Sequence, residues 1–402
     1  MSNNIQKVNT HWQELDVLRG LAAVLMVTNH LGYATLNATQ SSSGVAGGLV
    51  FIGSFAPVLF FFVTGVGYGL QSHKKKTNRW YVTLNKVVVL FLADLMMRVP
   101  EGWLGLDFFG FIGLSGLVLE LIRNSKSPLT YCFGGFVAIS VMRYLLGPVL
   151  RVSGYDQQAW GLIGWIFGTY AAPGISYPLS PWLAYPLVGY LVGYAAARYR
   201  VSIEKYRLRV VFGLLILGAI PAIAGVIILN QHGSSLFRWG TVAFDFYVVS
   251  FAVILASLSF SLIVCAGTKL TVCQNVLSLQ GIASFAVVPL HYFLLYLLVR
   301  LQALGLGLLD FCLLLTAVLI VSFLLAHSIE SFSQLLRRVQ QQKFVWSCLV
   351  ATFLLALNTL ILTPNNPFLV AATRAGGQIV LCLLFVIRPP IFSHFLLRRQ
   401  TH

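Results

Sequence analysis

The chain has 402 residues, of which 58% are hydrophobic and only 9% charged, whereas a soluble domain carries about a quarter charged residues. Lipid is therefore the expected solvent for most of the chain, and an ordinary soluble enzyme is excluded. The formal charge of +16 does not point to nucleic acid, because the Lys and Arg residues lie in short segments between apolar runs with no basic, aromatic-interleaved surface.

Residues 1–14 are polar and predict a short cytoplasmic segment. Apolar runs follow near 16–36, 50–71, 81–98, 104–122 and 128–149, each long enough to cross a bilayer as a helix. Residues 151–179 contain a further apolar run, Trp160 to Ala172, which is short and rich in Gly, Trp and Tyr. It predicts an outer-face excursion lying on or re-entering the membrane. Runs near 180–197, 208–229, 241–266, 277–300, 306–327, 344–363 and 367–388 complete the series, and 391–402 form a basic cytoplasmic tail. The predicted fold class is all-α: a polytopic integral membrane protein of about twelve transmembrane helices in one domain, 15–390, with both termini cytoplasmic. With that topology 20 of the 27 Lys and Arg residues fall on the cytoplasmic side, as the positive-inside rule requires.

The first apolar run carries the most chemistry. Residues 13–36 interrupt an apolar helix with Asp16, Arg19 and the pair Asn29-His30, and each interruption is costly in lipid. Eleven residues separate Arg19 from His30, within about 20° of three full turns and about 16 Å along the axis, so the two side chains share a face. Asp16 precedes Arg19 by three positions and can pair with the guanidinium. The result is a polar stripe with a cationic inner end and an imidazole outer end. Arginine binds phosphate in a fixed fork, and neutral imidazole takes a proton from an attacking hydroxyl or amine or carries an acyl group itself. A snorkelling arginine and a packed, hydrogen-bonded histidine are the structural alternative for the same two residues.

Further along, His30, Arg98, Glu101, Asp107, Arg151, His232, Arg238, Asp245 and His291 all fall in the outer half of the predicted topology. Asp245 and Asp107 are candidates to orient His30 or bind acceptor hydroxyls, since an intramembrane carboxylate needs a partner. A structural pair of Arg238 with Asp245 is the alternative. The six cysteines lie singly, with no C-x-x-C pair. No metal-ligand spacing, P-loop, dinucleotide fingerprint or nucleophile elbow is present, so no metal is expected and ATP-driven transport and serine hydrolysis are disfavoured.

The segment Leu15-Asp16-Val17-Leu18-Arg19-Gly20-Leu21-Ala22-Ala23, continuing through Met26 to Asn29-His30, resembles the opening of the transmembrane acyltransferase superfamily. That superfamily includes acyltransferase-3 proteins and heparan-α-glucosaminide N-acetyltransferase-like proteins. Phe60 to Gly67, Pro178 to Tyr185 followed by Gly189, and Gly281-Ile282-Ala283-Ser284 leading to His291 are similar to its later segments, in the same order. The Pro181-Trp182-Leu183 run favours the glucosaminide N-acetyltransferase-like branch. Thr64 stands where that family usually has serine, and Ala286 to Pro289 lack a tyrosine often found there.

The resemblance implies transfer of an acyl group, usually acetyl from acetyl-CoA, to a hydroxyl or amine of a sugar or glycan across the membrane, in the acyltransferase class. It makes His30 the catalytic histidine and Arg19 the donor-side arginine. Read with the polar residues themselves, Asp245 and Asp107 are expected as supporting carboxylates, Asp16 beside Arg19 at the acyl-CoA site, and Asn29, Trp182, His291 and Arg238 as acceptor contacts. Expected partners are membrane lipid and the glycan acceptor, with homo-oligomerisation open and a bacterial inner membrane the expected location. The competing reading is a secondary transporter of a sugar-like or anionic solute with no covalent chemistry. A third is a non-catalytic relative that binds a lipid-linked sugar.

Overall fold

The computed structural model describes residues 12–42, 44–72, 80–98, 107–152, 176–232, 243–265, 272–301, 305–339 and 342–386, and every regular element in them is a helix. The first half runs α1 (Gln13–Thr35), α2 (Ala38–Ser42), α3 (Gly44–Gly53), α4 (Ala56–Gln71), α5 (Trp80–Arg98), α6 (Phe108–Asn124) and α7 (Pro128–Val152). After the excursion come α8 (Leu179–Trp182), α9 (Ala184–Arg198), α10 (Arg200–Lys205), α11 (Arg207–His232), α12 (Ala243–Val264) and α13 (Val272–Leu277). The last four are α14 (Ala283–Arg300), α15 (Leu308–Arg338), α16 (Gln342–Leu362) and α17 (Pro367–Val386). Most of the predicted excursion, the basic tail and the first eleven residues lie outside the described residues.

Seven helices among the described residues are both long and apolar enough to cross a membrane: Gly44–Gln71, Arg207–Ile228, Tyr247–Val264, Ala283–Arg300, Leu308–Arg338, Lys343–Leu362 and Pro367–Leu384. Of the other expected spans, α7 is a helix of 25 residues, while some fall short on length or polarity. α6 has 17 residues and α9 has 15, while α1 carries Glu14, Asp16 and Arg19 in its first two turns. Helices such as α11 expose Leu208, Phe212, Ile216, Ile220 and Ile223 to the outside, the all-round apolar character of a lipid-facing helix.

Because lipid is as apolar as leucine, helices here must be held by close packing rather than by hydrophobic exclusion. Small residues make this possible between α4 and α9, which run in the same direction. A Cβ at Gly65 would overlap the Pro186 carbonyl oxygen, one at Gly69 that of Tyr190, one at Gly189 that of Phe62, and one at Gly193 that of Val66. The two backbones interlock, and behind them Phe61, Phe111, Trp182, Tyr185 and Tyr190 fill the core.

α1 sits at the centre, packed against α3, α4, α12, α14 and α15. Its neighbour α14 runs in the same direction, as two backbone bonds show. At one end Leu279 N–H donates to the Asp16 carbonyl (3.1 Å), and at the other Leu306 N–H donates to the Thr35 carbonyl (3.2 Å). The turn into α14 is made by Gly281 at φ +51, a conformation open to glycine, and is fastened by Glu330 of α15, whose carboxylate accepts the Ile282 N–H at 2.6 Å.

Candidate active site

α1 is an unusual helix for a bundle core because its polar residues are committed to separate jobs along its length. At the N-terminal end of α1 Asp16 is 1% exposed and accepts from Arg19 Nη1 at 2.5 Å, while the Arg19 side chain keeps 27% of its surface open. The pair is what the three-residue spacing predicts. One residue further on, a Cβ at Gly20 would overlap the Leu277 carbonyl oxygen, so glycine is what lets residues 277–279 lie across α1 beside the Asp16–Arg19 pair. Below this, Arg207 Nη2 donates to Glu14 at 2.8 Å and its Nε donates to the Leu262 carbonyl, which ties α11 and α12 to the start of α1.

Near the other end, Asn29 and His30 point to different neighbours. The Asn29 side-chain amide donates to the Val50 carbonyl of α3 at 2.9 Å. His30 turns toward α14: its Nδ1 lies 2.9 Å from Nε2 of His291, and the two rings meet edge to edge with centroids 5.2 Å apart and planes 17° from parallel. His291 is completely buried, and its Nδ1 lies 3.0 Å from the carbonyl oxygen of Val287, one turn earlier in the same helix. Tyr292 closes the group. Its ring lies 4.9 Å from that of His30 and 4.3 Å from that of His291, and its hydroxyl is 3.5 Å from His30 Nε2. Tyr292 is 39% exposed, so this side of His30 is the open one.

Two parallel helices thus bring together residues 261 positions apart. An apolar sleeve surrounds them: Val27 and Leu31 of α1, Val50 of α3, Leu295 of α14 and Phe311 of α15 are buried in one cluster. Such a sleeve excludes water and strengthens any dipole aimed into it.

The remaining expected site residues are placed as follows. Asp107 is the residue before α6, and its N–H donates to Asp94 at 3.0 Å. Asp94, 2% exposed, also accepts from Phe109 N–H (3.0 Å) and Gly110 N–H (2.6 Å), so it satisfies the donors that a helix start leaves unpaired. Phe109 stacks on Phe285 at 4.3 Å. Phe285 precedes His291 by six residues, about 9 Å along α14 toward its N-terminal end. The described contacts of the His30 ring are to His291 and Tyr292, not to a carboxylate.

Trp182 is 2% exposed and wedged edge-on against Phe61 (5.6 Å) and Tyr177 (5.0 Å) in an aromatic cluster. Asp245 falls on the first turn of α12, but its side chain, like all of Arg238, lies outside the described residues. Asp94 and Tyr292 were not singled out by sequence reasoning. The signal for Asp94 was present, a carboxylate in the middle of an apolar run, whereas Tyr292 carries none beyond its place next to His291.

Comparison with known proteins gives one match: the family model for the heparan-alpha-glucosaminide N-acetyltransferase catalytic domain aligns with residues 12–221, from the start of α1 into α11. No curated protein and no solved structure matches the chain.

Proposed function

The chain belongs to the family of heparan-alpha-glucosaminide N-acetyltransferase catalytic domains, and on that premise we propose that it is a membrane-bound acyltransferase moving an acetyl group from cytosolic acyl-CoA to a hydroxyl or amine of a sugar or glycan at the outer face. The observation that carries this reading is the setting of His30. Its imidazole has one nitrogen engaged by a buried second histidine and the other turned to the open, Tyr292 side. A general base needs such a nitrogen, held in place and within reach of the proton it removes.

The donor fits the same stripe. Arg19 offers a part-exposed guanidinium at the inner end, suited to a phosphate group of CoA, and lies about 16 Å from His30 along α1. A long thioester donor that begins at Arg19 and ends at His30 meets its acceptor where α1 and α14 approach the outer side. The common direction of α1 and α14 supports this, since it places Arg19 and the turn at residues 277–282 at one end and the histidine pair well along both helices.

The test is to incubate purified protein in lipid with labelled acetyl-CoA and a panel of amino sugars and glycans. Label should appear on at least one acceptor with wild type and fall to background with His30→Ala, while the variant elutes as a folded protein. Undiminished turnover by folded His30→Ala, or uptake of unmodified solute into vesicles without any acyl transfer, would overturn the reading.

A further inference from the structure

We infer that His291 is a positioning residue that fixes His30 as the Nδ1–H tautomer, which makes Nε2 of His30, the nitrogen facing Tyr292, the atom that takes the acceptor's proton. The chemistry in this inference rests on the proposed acyl transfer; the tautomer does not.

The argument starts at a backbone carbonyl. The oxygen of Val287 can only accept, so the hydrogen between it and His291 Nδ1, at 3.0 Å, belongs to the nitrogen. Among the described residues no carboxylate touches either ring, and an imidazolium in this buried site would lack a counter-ion. His291 is therefore neutral, and its Nε2 carries a lone pair. That lone pair faces His30 Nδ1 at 2.9 Å, a separation at which two lone pairs repel and a hydrogen must lie between them. The hydrogen is on His30 Nδ1. In neutral His30 the lone pair then sits on Nε2.

The direction of this chain, from His30 Nδ1–H to His291 Nε2 and from His291 Nδ1–H to the Val287 carbonyl, is set by a group of fixed polarity on a helix backbone. Nothing in it needs a carboxylate, which is why an orienting aspartate is not required beside His30. The Tyr292 hydroxyl, 3.5 Å from Nε2, already presents to this lone pair the kind of O–H group that an acceptor would bring.

The transfer balances on that nitrogen. The acceptor's O–H or N–H gives its proton to Nε2, and its freed electron pair forms the new bond to the thioester carbonyl carbon. The C–S bond breaks with its pair on sulfur, and the proton on Nε2 passes to the departing CoA thiolate. Throughout, Nδ1–H stays bonded to His291, which steadies the positive charge that His30 carries between the two proton transfers.

The experiment reads the tautomer directly. Full-length protein labelled with 15N-histidine is examined in lipid bilayers by solid-state NMR, with His30→Gln used to assign the His30 signals. Wild type should show His30 with a protonated Nδ1 and an unprotonated Nε2, and a coupling between Nδ1 of His30 and Nε2 of His291. His291→Leu should leave His30 as a mixture of tautomers and lower kcat about 100-fold, the low end of what a general base contributes, with KM for acetyl-CoA within about 2-fold. His291→Gln, whose amide oxygen can stand where Nε2 was, should keep the tautomer and retain kcat within about 10-fold of wild type. A protonated Nε2 in wild-type His30, or a His291→Leu protein with the wild-type tautomer and kcat, overturns the inference. Loss of the tautomer with no acyl transfer from any donor supports the positioning role and instead sinks the proposed function.

Discussion

Replacing Gly20 by alanine adds one methyl group at a point where two segments far apart in sequence touch. The new Cβ would overlap the Leu277 carbonyl oxygen, which is backbone and cannot rotate away, so residues 277–279 must recede from α1 by about 1 Å. Overpacking of that kind costs about 1–3 kcal/mol. The same movement stretches the bond from Leu279 N–H to the Asp16 carbonyl, now 3.1 Å, whose loss costs a further ~1 kcal/mol. The expected destabilisation is thus about 2–4 kcal/mol, read as a lowered unfolding temperature of the detergent-solubilised protein. Activity should suffer separately, because 277–279 lead directly into α14 and a displacement of about 1 Å at a reacting group can cost about 100-fold in rate. Gly67→Ala is the control: nothing lies within 4 Å of its added Cβ, and replacing a helical glycine should be neutral or stabilise by up to about 1 kcal/mol. If Gly20→Ala and Gly67→Ala were equally stable and equally active, the close approach at Gly20 would have no role in holding the site.

Two other substitutions separate holding the fold from binding the donor. Arg19→Ala leaves Asp16 buried without its guanidinium and should destabilise by about 3–5 kcal/mol. The double change Asp16→Asn with Arg19→Ala should recover much of that stability in thermal unfolding, yet keep KM for acetyl-CoA raised by about 10-fold or more, an anchor worth about 1.4 kcal/mol. Recovery of both together would make Arg19 structural only. Asp94→Ala removes the acceptor of three N–H groups at the start of α6 and should cost about 2–4 kcal/mol in chemical denaturation, with Asp94→Asn milder. A neutral Asp94→Ala would mean that water satisfies that helix start.

Much of the site was legible because charge in an apolar helix is expensive and so conspicuous. Arg19, Asp16 and His30 announced themselves in this way, and simple helical geometry gave the Asp16–Arg19 pair that the structure contains. What could not be read was the partner of His30. Carboxylates were the natural expectation, but the ring that meets it comes from a helix 261 residues away and is itself an imidazole. Periodicity within one helix says which way a side chain points, not which other helix stands there. Asn29 illustrates the same limit, since a polar residue beside a histidine reads as a substrate contact, yet its amide is bonded to the Val50 carbonyl. For the fold, apolar runs located the helices well, but hydropathy alone did not set their lengths. α9 ends after 15 residues, at Arg198, and α1 trades apolar character for chemistry.

The ties between α1 and α14 bear on how the protein is made. His30 leaves the ribosome early, in the first helix, while His291 and the backbone that lies over Gly20 follow only after more than two hundred further residues. A growing chain that has completed the whole matched segment, 12–221, still lacks the ring that orients its histidine. Under the proposed mechanism the site is completed late: a product truncated before α14 would lack the ring that faces His30 and should show no acyl transfer.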